Sequence, residues 1–330
     1  PYWQYFCGFD YFQHELPVDD TTLVKWRKRI GPQRFELMLR QTVETAERNG
    51  QTKTTTFRHV NVDTTVQEKA IAHPTDAGLY HKMRDKLVHA ARRRGMSLRR
   101  TYVRVSKKAL HKHGRYCHAR QFRRARKPLR KLKLWLKHVI IDVERQYKPG
   151  DVELGNLLGI ARKILEQTRK TSPKVYSIHE PQVACIAKGK ARKRYEFGCK
   201  VSVVTSSDDN WVLAVRAHPG NPYDGHTLAS MLEQVEGITG VTPDAAYVDR
   251  GYRGHRIEGP TDIHIVGLRR RGKLTRTEKR RRRRRVAVEP VIGHLKTGHR
   301  MDRNPLKGIS GDQINAVLAG CGYNIRKLLR

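Results

Sequence analysis

Three acidic residues lie far apart in a chain whose charge is otherwise strongly positive. Asp63 lies in a stretch rich in β-branched residues, Asp249 ends a short apolar stretch, and Glu289 lies among valines just after the basic run 279–285. Carboxylates are the hard oxygen ligands that Mg²⁺ prefers. Two such ions about 4 Å apart can activate a nucleophile and stabilise the leaving oxygen in phosphodiester cleavage. These residue types therefore indicate a divalent-metal site acting on a phosphodiester.

Each acid also has a simpler interpretation when it is taken alone. An Asp at the end of a strand is commonly a turn former, and a Glu on a helix is commonly solvated. On an α-helix, Arg285, Glu289 and Lys296 would fall within about 60° of one another, so a metal ligand and two phosphate-binding cations could share one face. Pro290 complicates this arrangement, because it predicts that the helix starts or bends there.

The charge of the chain predicts a polyanionic partner. Its 330 residues include 68 Lys and Arg against 31 Asp and Glu, a formal net charge of +37. Such self-repulsion costs stability, and nucleic acid is the most common reason for tolerating it. Charge alone does not separate an enzyme from a packaging or ribosome-associated protein.

Cysteine content and hydropathy indicate a cytoplasmic protein. The five cysteines are odd in number and scattered, with no Cys-x-x-Cys pair, which argues against a disulfide framework or a zinc ribbon. No run of about 18 apolar residues predicts a membrane span. The chain begins with Pro1 rather than Met, so we expect that the natural N-terminus is missing.

Residues 1–50 are predicted to be a helical region. Asp20 or Thr21 could cap the first helix, Gly31-Pro32 should break it, and Asn49-Gly50 should end the second. A strand is predicted at 57–64, with Asn61 and Asp63 on one face. Residues 73–76 should end that strand and cap a further helix.

Residues 76–175 are predicted to be a basic helical insertion. Apolar residues recur at helical spacing within it, which favours a folded insertion over disorder. This stripe consists of Leu132, Trp135, Leu136, Val139, Ile140, Val143 and Tyr147.

The rest of the chain alternates between strand and helix patterns, as expected for an α/β fold. Asp224 is expected to cap a helix, and a supporting role beside the metal is the alternative. Further helices are expected to carry Glu289 and, near the C-terminus, Ile314 to Leu328. Strands are predicted at 195–205, 211–218, 245–249 and 263–268.

Several stretches resemble one family. The chain is similar to the bacterial insertion-sequence transposases of the DDE class, in the insertion-sequence-five family. The similar stretches are 16–31, 62–68, 73–76, 176–181, 188–190, 195–198, 220–228 and 249–255. The family's third-acid pattern, Tyr-x2-Arg-x3-Glu-x6-Lys, is matched by Arg285, Glu289 and Lys296, whereas Arg282 stands at the Tyr position.

The resemblance implies a ribonuclease-H-like mixed sheet flanked by helices. It implies a catalytic domain split between 51–75 and 176–330, with residues 1–50 serving DNA binding or dimerisation. Asp63, Asp249 and Glu289 would be the catalytic residues and would hold Mg²⁺ or Mn²⁺, as two ions. The residues expected to bind DNA are Lys296, Arg285, Arg250, Arg253 and Arg284.

The resemblance also implies the reaction: water is activated to cut DNA at the element's end, and the freed 3′-OH then attacks target DNA. The partners would be terminal inverted repeats and target DNA, bound by a homodimer near the bacterial nucleoid. Three alternatives remain: a related nuclease that cuts without joining, a non-catalytic basic nucleic-acid-binding protein, and a truncated, degenerate copy.

Overall fold

The computed structural model describes residues 4–5, 7–15, 19–187, 194–267 and 275–330. Three features discussed above, namely residues 16–18, the stretch 188–190 and Leu268 at the end of a predicted strand, lie outside the described residues.

The described residues form helices and strands in a mixed order, with four successive helices after the first strand. The helices are α1 (Asp20–Arg48), α2 (Asp76–Arg93), α3 (Val103–His118), α4 (Phe122–Glu144), α5 (Val152–Glu166), α6 (Asp224–Thr239), α7 (Arg276–Arg284), α8 (Val288–Gly298) and α9 (Gly308–Leu328). The strands are β1 (His59–Lys69), β2 (Ala184–Ala187), β3 (Tyr195–Ser206), β4 (Val212–His218), β5 (Ala245–Val248), β6 (Asp262–Ile265) and β7 (Arg303–Asn304).

The strands form one mixed sheet with β1 at its centre. On one side β1 pairs antiparallel with β3, which in turn pairs antiparallel with β4 and β2. On its other side β1 pairs parallel with β5, and β5 pairs parallel with β6; β7 adds a short parallel contact at the far end of β1. The expected α/β class, a mixed sheet flanked by helices, is confirmed.

Buried apolar residues fall into two clusters. The first joins the sheet to α1, α6, α8 and α9. The second lies within α2 to α5 and the segment that follows them. Because Phe35, Leu39 and Val43 of α1 are fully buried in the first cluster, this helix packs on the sheet layer. The division of the chain into three separate regions remains a prediction.

The apolar stripe predicted for the insertion faces its core. Leu132, Leu136, Val139, Ile140 and Val143 are buried against α2, α3 and α5, and Trp135 and Tyr147 are packed at the edge of the same cluster. The stripe therefore gives the basic insertion its own hydrophobic core.

The ends of the first strand and of the first helix differ from those predicted from the sequence. Phe57 and Arg58 belong to a 3₁₀ turn, and the strand starts at His59 and continues to Lys69. It has this length because β5 pairs with its start, β3 with most of its length and β7 with its end. The cap of α1 is Asp19, whose carboxylate accepts from the Thr21 amide at 2.8 Å, so Asp20 and Thr21 are not caps.

The predicted break in the N-terminal helix is confirmed. Gly31 has a φ of 70°, and Pro32 follows it inside α1. Glycine reaches a positive φ without the steric penalty of a Cβ. The bend lets the second half of α1 lie against α9.

A buried ionic network ties the far end of β1 to α9. The Lys69 Nζ lies 2.6 Å from Asp312 Oδ1 and 3.1 Å from Glu180 Oε2. Glu180 also accepts from the Gly308 amide at 3.0 Å. Because an unpaired buried charge is costly, the three side chains fix β1, the 176–183 segment and the start of α9 relative to one another.

No helix in the described ranges is both long enough and apolar enough to cross a membrane.

His218 at the end of β4 is partly buried beside positive charge. Its Nε2 lies 2.9 Å from Ser202 Oγ. Burial first, and then the neighbouring Arg216 and Lys200, lower the pKa of His218 from 6.5 to about 4, while Asp224 acts in the opposite direction. The folded protein therefore holds this imidazole neutral at pH values where the unfolded chain protonates it.

We predict that His218→Gln flattens the acid side of the stability profile. Because the folded pKa is the lower one, its stabilising contribution is present above pH 6.5 and is lost as pH falls towards about 4. Between about pH 8 and about pH 5 the wild type should lose about 2 kcal/mol more unfolding free energy than the variant. Urea unfolding at both pH values measures this, with the exposed His138→Gln as control. Equal losses in wild type and His218→Gln would contradict it.

Candidate active site

Asp63 lies in the middle of the central strand, β1, opposite Val203 of β3. Since side chains alternate across a strand, Val62 enters the core and is fully buried, while Asp63 faces the other side with Asn61. The Asp63 side chain is 15% exposed. Its Oδ1 accepts from the Thr64 amide at 2.8 Å, which orients Oδ2 away from the strand.

Asp249 follows β5, the parallel neighbour of β1. The register pairs Asn61 with Tyr247, so continuing it by two residues brings Asp249 alongside Asp63. The Asp249 Oδ1 accepts from the Gly251 amide at 2.8 Å and caps a 3₁₀ turn. A Cβ on Gly251 would lie 2.9 Å from Asp224 Oδ2 and 3.0 Å from Asp249 Oδ1, so a larger residue there would displace one or both of these carboxylates.

Glu289 lies in the first turn of α8, which begins at Val288. Pro290 is tolerated there because its missing amide has no helical acceptor in the first turn. The buried Val288, Val291 and Leu295 hold the helix against the sheet core. Glu289 itself is 59% exposed.

Arg285 brings the three acids together. Its Nη2 lies 3.0 Å from Asp63 Oδ2 and 3.7 Å from Asp249 Oδ2, and its Nη1 lies 3.5 Å from Glu289 Oε1. The side chain of Arg285 is only 11% exposed. Three carboxylates from β1, the β5 end and α8 therefore converge on one guanidinium, and the site as built favours a cation.

The helical spacing suggested that Arg285 and Glu289 share one helix, but Arg285 lies outside α8. It begins a 3₁₀ turn that joins α7 to α8. Its Nε is buried and has no hydrogen-bond partner in the described part of the chain. The guanidinium is therefore held by its ion pairs and not by a full set of hydrogen bonds.

A fourth carboxylate, Asp224, borders this cluster. The expectation that it caps α6 is wrong: Tyr223 holds the cap position and Asp224 is the first helical residue. Its Oδ1 accepts from Lys200 Nζ at 2.7 Å and from Thr64 Oγ1 at 3.0 Å. Its other oxygen faces the Gly251 turn. Asp224 thus connects the residue after Asp63 to the turn after Asp249, as the supporting-role alternative requires.

Tyr252 lies under the carboxylates. It is fully buried, and its hydroxyl has no hydrogen-bond partner in the described ranges. Burial first, and then the charges of Asp63, Asp224 and Asp249, raise the pKa of Tyr252 well above its ordinary value. The hydroxyl therefore stays protonated beside the carboxylates.

The other basic residues predicted to bind DNA lie around the cluster in different settings. The Arg284 guanidinium donates to backbone carbonyls of the β3–β4 turn, and Arg250 Nη2 donates to the Gly267 carbonyl at 2.8 Å. Arg253 is exposed, and Lys296 is partly exposed on α8. Binding of DNA by these residues stays a prediction.

The donor set fits a hard divalent cation in its chemistry. Carboxylate oxygens from three elements face one point, and the orphaned Tyr252 hydroxyl adds a donor for a bound water. Within the described ranges, however, no three His, Cys, Asp or Glu side chains stand close enough to hold a metal ion. The Arg285 guanidinium occupies the point on which the three carboxylates converge.

Sequence reasoning named the three acids that meet and missed two of their neighbours. Tyr252 lay within the stretch 249–255, whose similarity to a known family was the available signal. Lys200 gave none, because the pairing of β3 with β4, which sets Lys200 opposite His218, is what brings it to Asp224.

We predict that Arg285→Met destabilises the protein and that Asp63→Asn partly reverses the loss. Removing Arg285 leaves the carboxylates to repel one another, at a cost of about 1–3 kcal/mol. This is below the roughly 3–5 kcal/mol of a fully buried pair, because Asp249 and Glu289 are partly exposed. Urea unfolding in a chelating buffer measures this cost. The exposed Arg283→Met should change little. If the effects of Arg285→Met and Asp63→Asn simply add, the two side chains are uncoupled and the convergence is wrong.

Residues 167–325, slightly less than half of the chain, match the family model described as Transposase DDE domain. The uncharacterized protein ORF8 in the nfe locus of Rhizobium meliloti is 53% identical over 122 residues, which are 37% of this chain and 59% of that protein. The chain thus covers less than two thirds of that relative. No solved structure matches the chain. The family match supports a DDE transposase.

Proposed function

We propose that this chain is a DDE transposase of the insertion-sequence-five family that cuts DNA at the ends of its element and joins the freed strand to target DNA. The observation that carries the proposal is the convergence of Asp63, Asp249 and Glu289 on the Arg285 guanidinium. A non-catalytic basic protein has no need to collect carboxylates against its own charge.

The proposal includes a ribonuclease-H-like core. Three features support it: the first acid lies on the central strand, the second follows the parallel neighbour of that strand, and the third lies on a later helix. The insertion α2–α5 leaves the sheet after β1 and the chain returns at β2, as a split catalytic domain requires. In this proposal the domain comprises 51–75 and 176–330, with 76–175 as insertion.

Asp63, Asp249 and Glu289 would hold Mg²⁺ or Mn²⁺, as a pair of ions. When bound, such ions lower the pKa of a water nucleophile and stabilise charge on the leaving oxygen. The bonds of Asp224 to Lys200 and Thr64 would hold the two Asp-bearing segments in position.

Arg285 would exchange partners when DNA and metal arrive. A guanidinium binds carboxylate and phosphate with the same planar geometry, so Arg285 can release the carboxylates and bind the DNA backbone. Lys296, Arg284, Arg250 and Arg253 would provide further phosphate contacts around the cleavage point. The Tyr252 hydroxyl would donate to a water at the carboxylates.

The partners would be the terminal inverted repeats of the element and the target DNA. The formal charge of +37 supports a DNA partner, since phosphate neutralisation dominates affinity for nucleic acid. We also propose that the chain acts as a homodimer near the nucleoid in the bacterial cytoplasm, with residues 1–50 serving DNA binding or dimerisation.

We predict that Asp63→Asn, Asp249→Asn and Glu289→Gln each lower metal-dependent cleavage of an element-end duplex by about 100-fold or more, because each removes a ligand charge worth several kcal/mol. DNA binding measured by gel shift should be retained. The exposed surface acid Asp244→Asn serves as the matched control. Wild-type cleavage by any one of the three variants would remove that residue from the site.

The joining step is tested separately. A pre-cut element end with a free 3′-OH, incubated with supercoiled plasmid, should become covalently attached to it. Cleavage without attachment would assign the chain to the nucleases that cut without joining.

We predict that Arg285→Met binds Mn²⁺ more tightly than the wild type in the absence of DNA. The guanidinium competes with metal for the same carboxylates, so removing it should raise affinity by about tenfold, or about 1.4 kcal/mol. Electron paramagnetic resonance of free Mn²⁺ measures this, again with Arg283→Met as control. Unchanged or weaker Mn²⁺ binding would show that Arg285 and the metal do not share a site.

A further inference from the structure

A second cleft opens at the far end of β1, away from the carboxylates. It has a volume of about 370 Å³ and lies between the loop that leads into α2, the segment 176–180 and the residues before α9. The stretches 73–76 and 176–181, which no part of the proposed reaction uses, face each other across it although about 100 residues separate them. Two stretches of unassigned role therefore line the same open cleft.

The cleft is positively charged. Lys82 from α2 and Lys307 before α9 line it and are exposed, and neither forms an ion pair with the described part of the chain. His179 lies among them: burial first, and then the charges of Lys86, Lys307 and Lys82, lower its pKa. Glu180 is the one acid among the described residues that line the cleft, and it acts on His179 in the opposite direction to the lysines.

The acid in the lining offsets these cations only in part. Glu180 is buried, lies 3.1 Å from Lys69 Nζ and accepts from the Gly308 amide at 3.0 Å. Lys69 in turn lies 2.6 Å from Asp312. This network holds two carboxylates against one lysine, so at most one negative charge is left over, which is fewer than the two exposed lysines of the cleft. The cleft therefore keeps a net positive charge that can attract an anion from solution.

One wall of the cleft is aromatic. The rings of Tyr176 and His73 line it, and both lie against Phe197, with centroids 5.3 Å and 5.5 Å from that ring. Rings beside lysines form the pattern by which proteins bind unpaired nucleotides, with the base stacked and the backbone held by charge.

Strand β1 connects this cleft to the carboxylates. Asp63 and Lys69 lie on the same strand, six residues apart, which corresponds to about 20 Å at about 3.3 Å per residue. A DNA strand of a few nucleotides can span that distance.

We propose that this cleft binds one or two unpaired nucleotides of a DNA strand, with phosphate at Lys82, Lys307 and His179 and a base against Tyr176 and His73. The cleft is too small for a duplex. Its lysines suit the phosphate of a nucleotide, and its aromatic rings suit the base. The inference depends on DNA being the partner of this chain, but not on catalysis by the three carboxylates.

Photocrosslinking tests the base contact on the unaltered full chain. The probe is a short oligothymidylate in which 5-iododeoxyuridine replaces one thymidine, and peptide mapping locates the crosslink. We expect crosslinked peptides that contain Tyr176 or His73. Crosslinks confined to other segments overturn the proposal.

Salt dependence of binding tests the phosphate contacts. For Lys82→Gln/Lys307→Gln we expect the slope of log affinity against log salt to fall by about 1.4, since each contact to a single strand contributes about 0.7. Lys107→Gln/Lys148→Gln removes the same charge from exposed positions outside the cleft and should change the slope less. Equal changes in the two double variants, or an equal loss for duplex and single-stranded probes, overturn the proposal.

These outcomes are separate from the test of the proposed function. Asp63→Asn should retain the crosslink at the cleft, because that side chain lies on another part of β1. Loss of cleavage with an intact crosslink would leave the cleft in place, and an active enzyme without the crosslink would remove it.

Discussion

The central constraint on this molecule is electrostatic: a chain with a formal charge of +37 must hold Asp63, Asp249 and Glu289 together. Like charges in a confined site repel one another, and the repulsion grows as water is excluded. The Arg285 guanidinium lies between the three carboxylates and offsets their repulsion. The sheet register, the glycine turn after Asp249 and the start of α8 at Val288 all serve that convergence.

Local patterns were enough to predict the outline of this arrangement. Alternation along β1 placed Asp63 opposite the core residues Val60 and Val62, and Pro290 marked the beginning of a helix. Both features depend on neighbours in sequence, so a single chain reveals them. The apolar stripe of α4 was predictable for the same reason.

What the sequence did not reveal depends on partners from distant segments. Asp224 was expected to cap α6, yet it lies one residue inside that helix, and Lys200 and Thr64 bind its carboxylate. Neither contact has a local signature. The position of the Arg285 guanidinium and the full length of β1 are set in the same way. In each case a contact with a distant segment, either an ion pair or a neighbouring strand, outweighs the conformation that the local sequence favours.

The position of β1 has a consequence for the synthesis of the chain. The paired strands β3 and β5 are encoded more than 100 residues after β1, so the central strand leaves the ribosome long before any strand can pair with it. The insertion α2–α5 has its own apolar core and can fold in the interval. The strands and the helix that bring Asp249 and Glu289 to Asp63 are therefore made late in translation, and the carboxylate cluster can form only after the insertion has been synthesised.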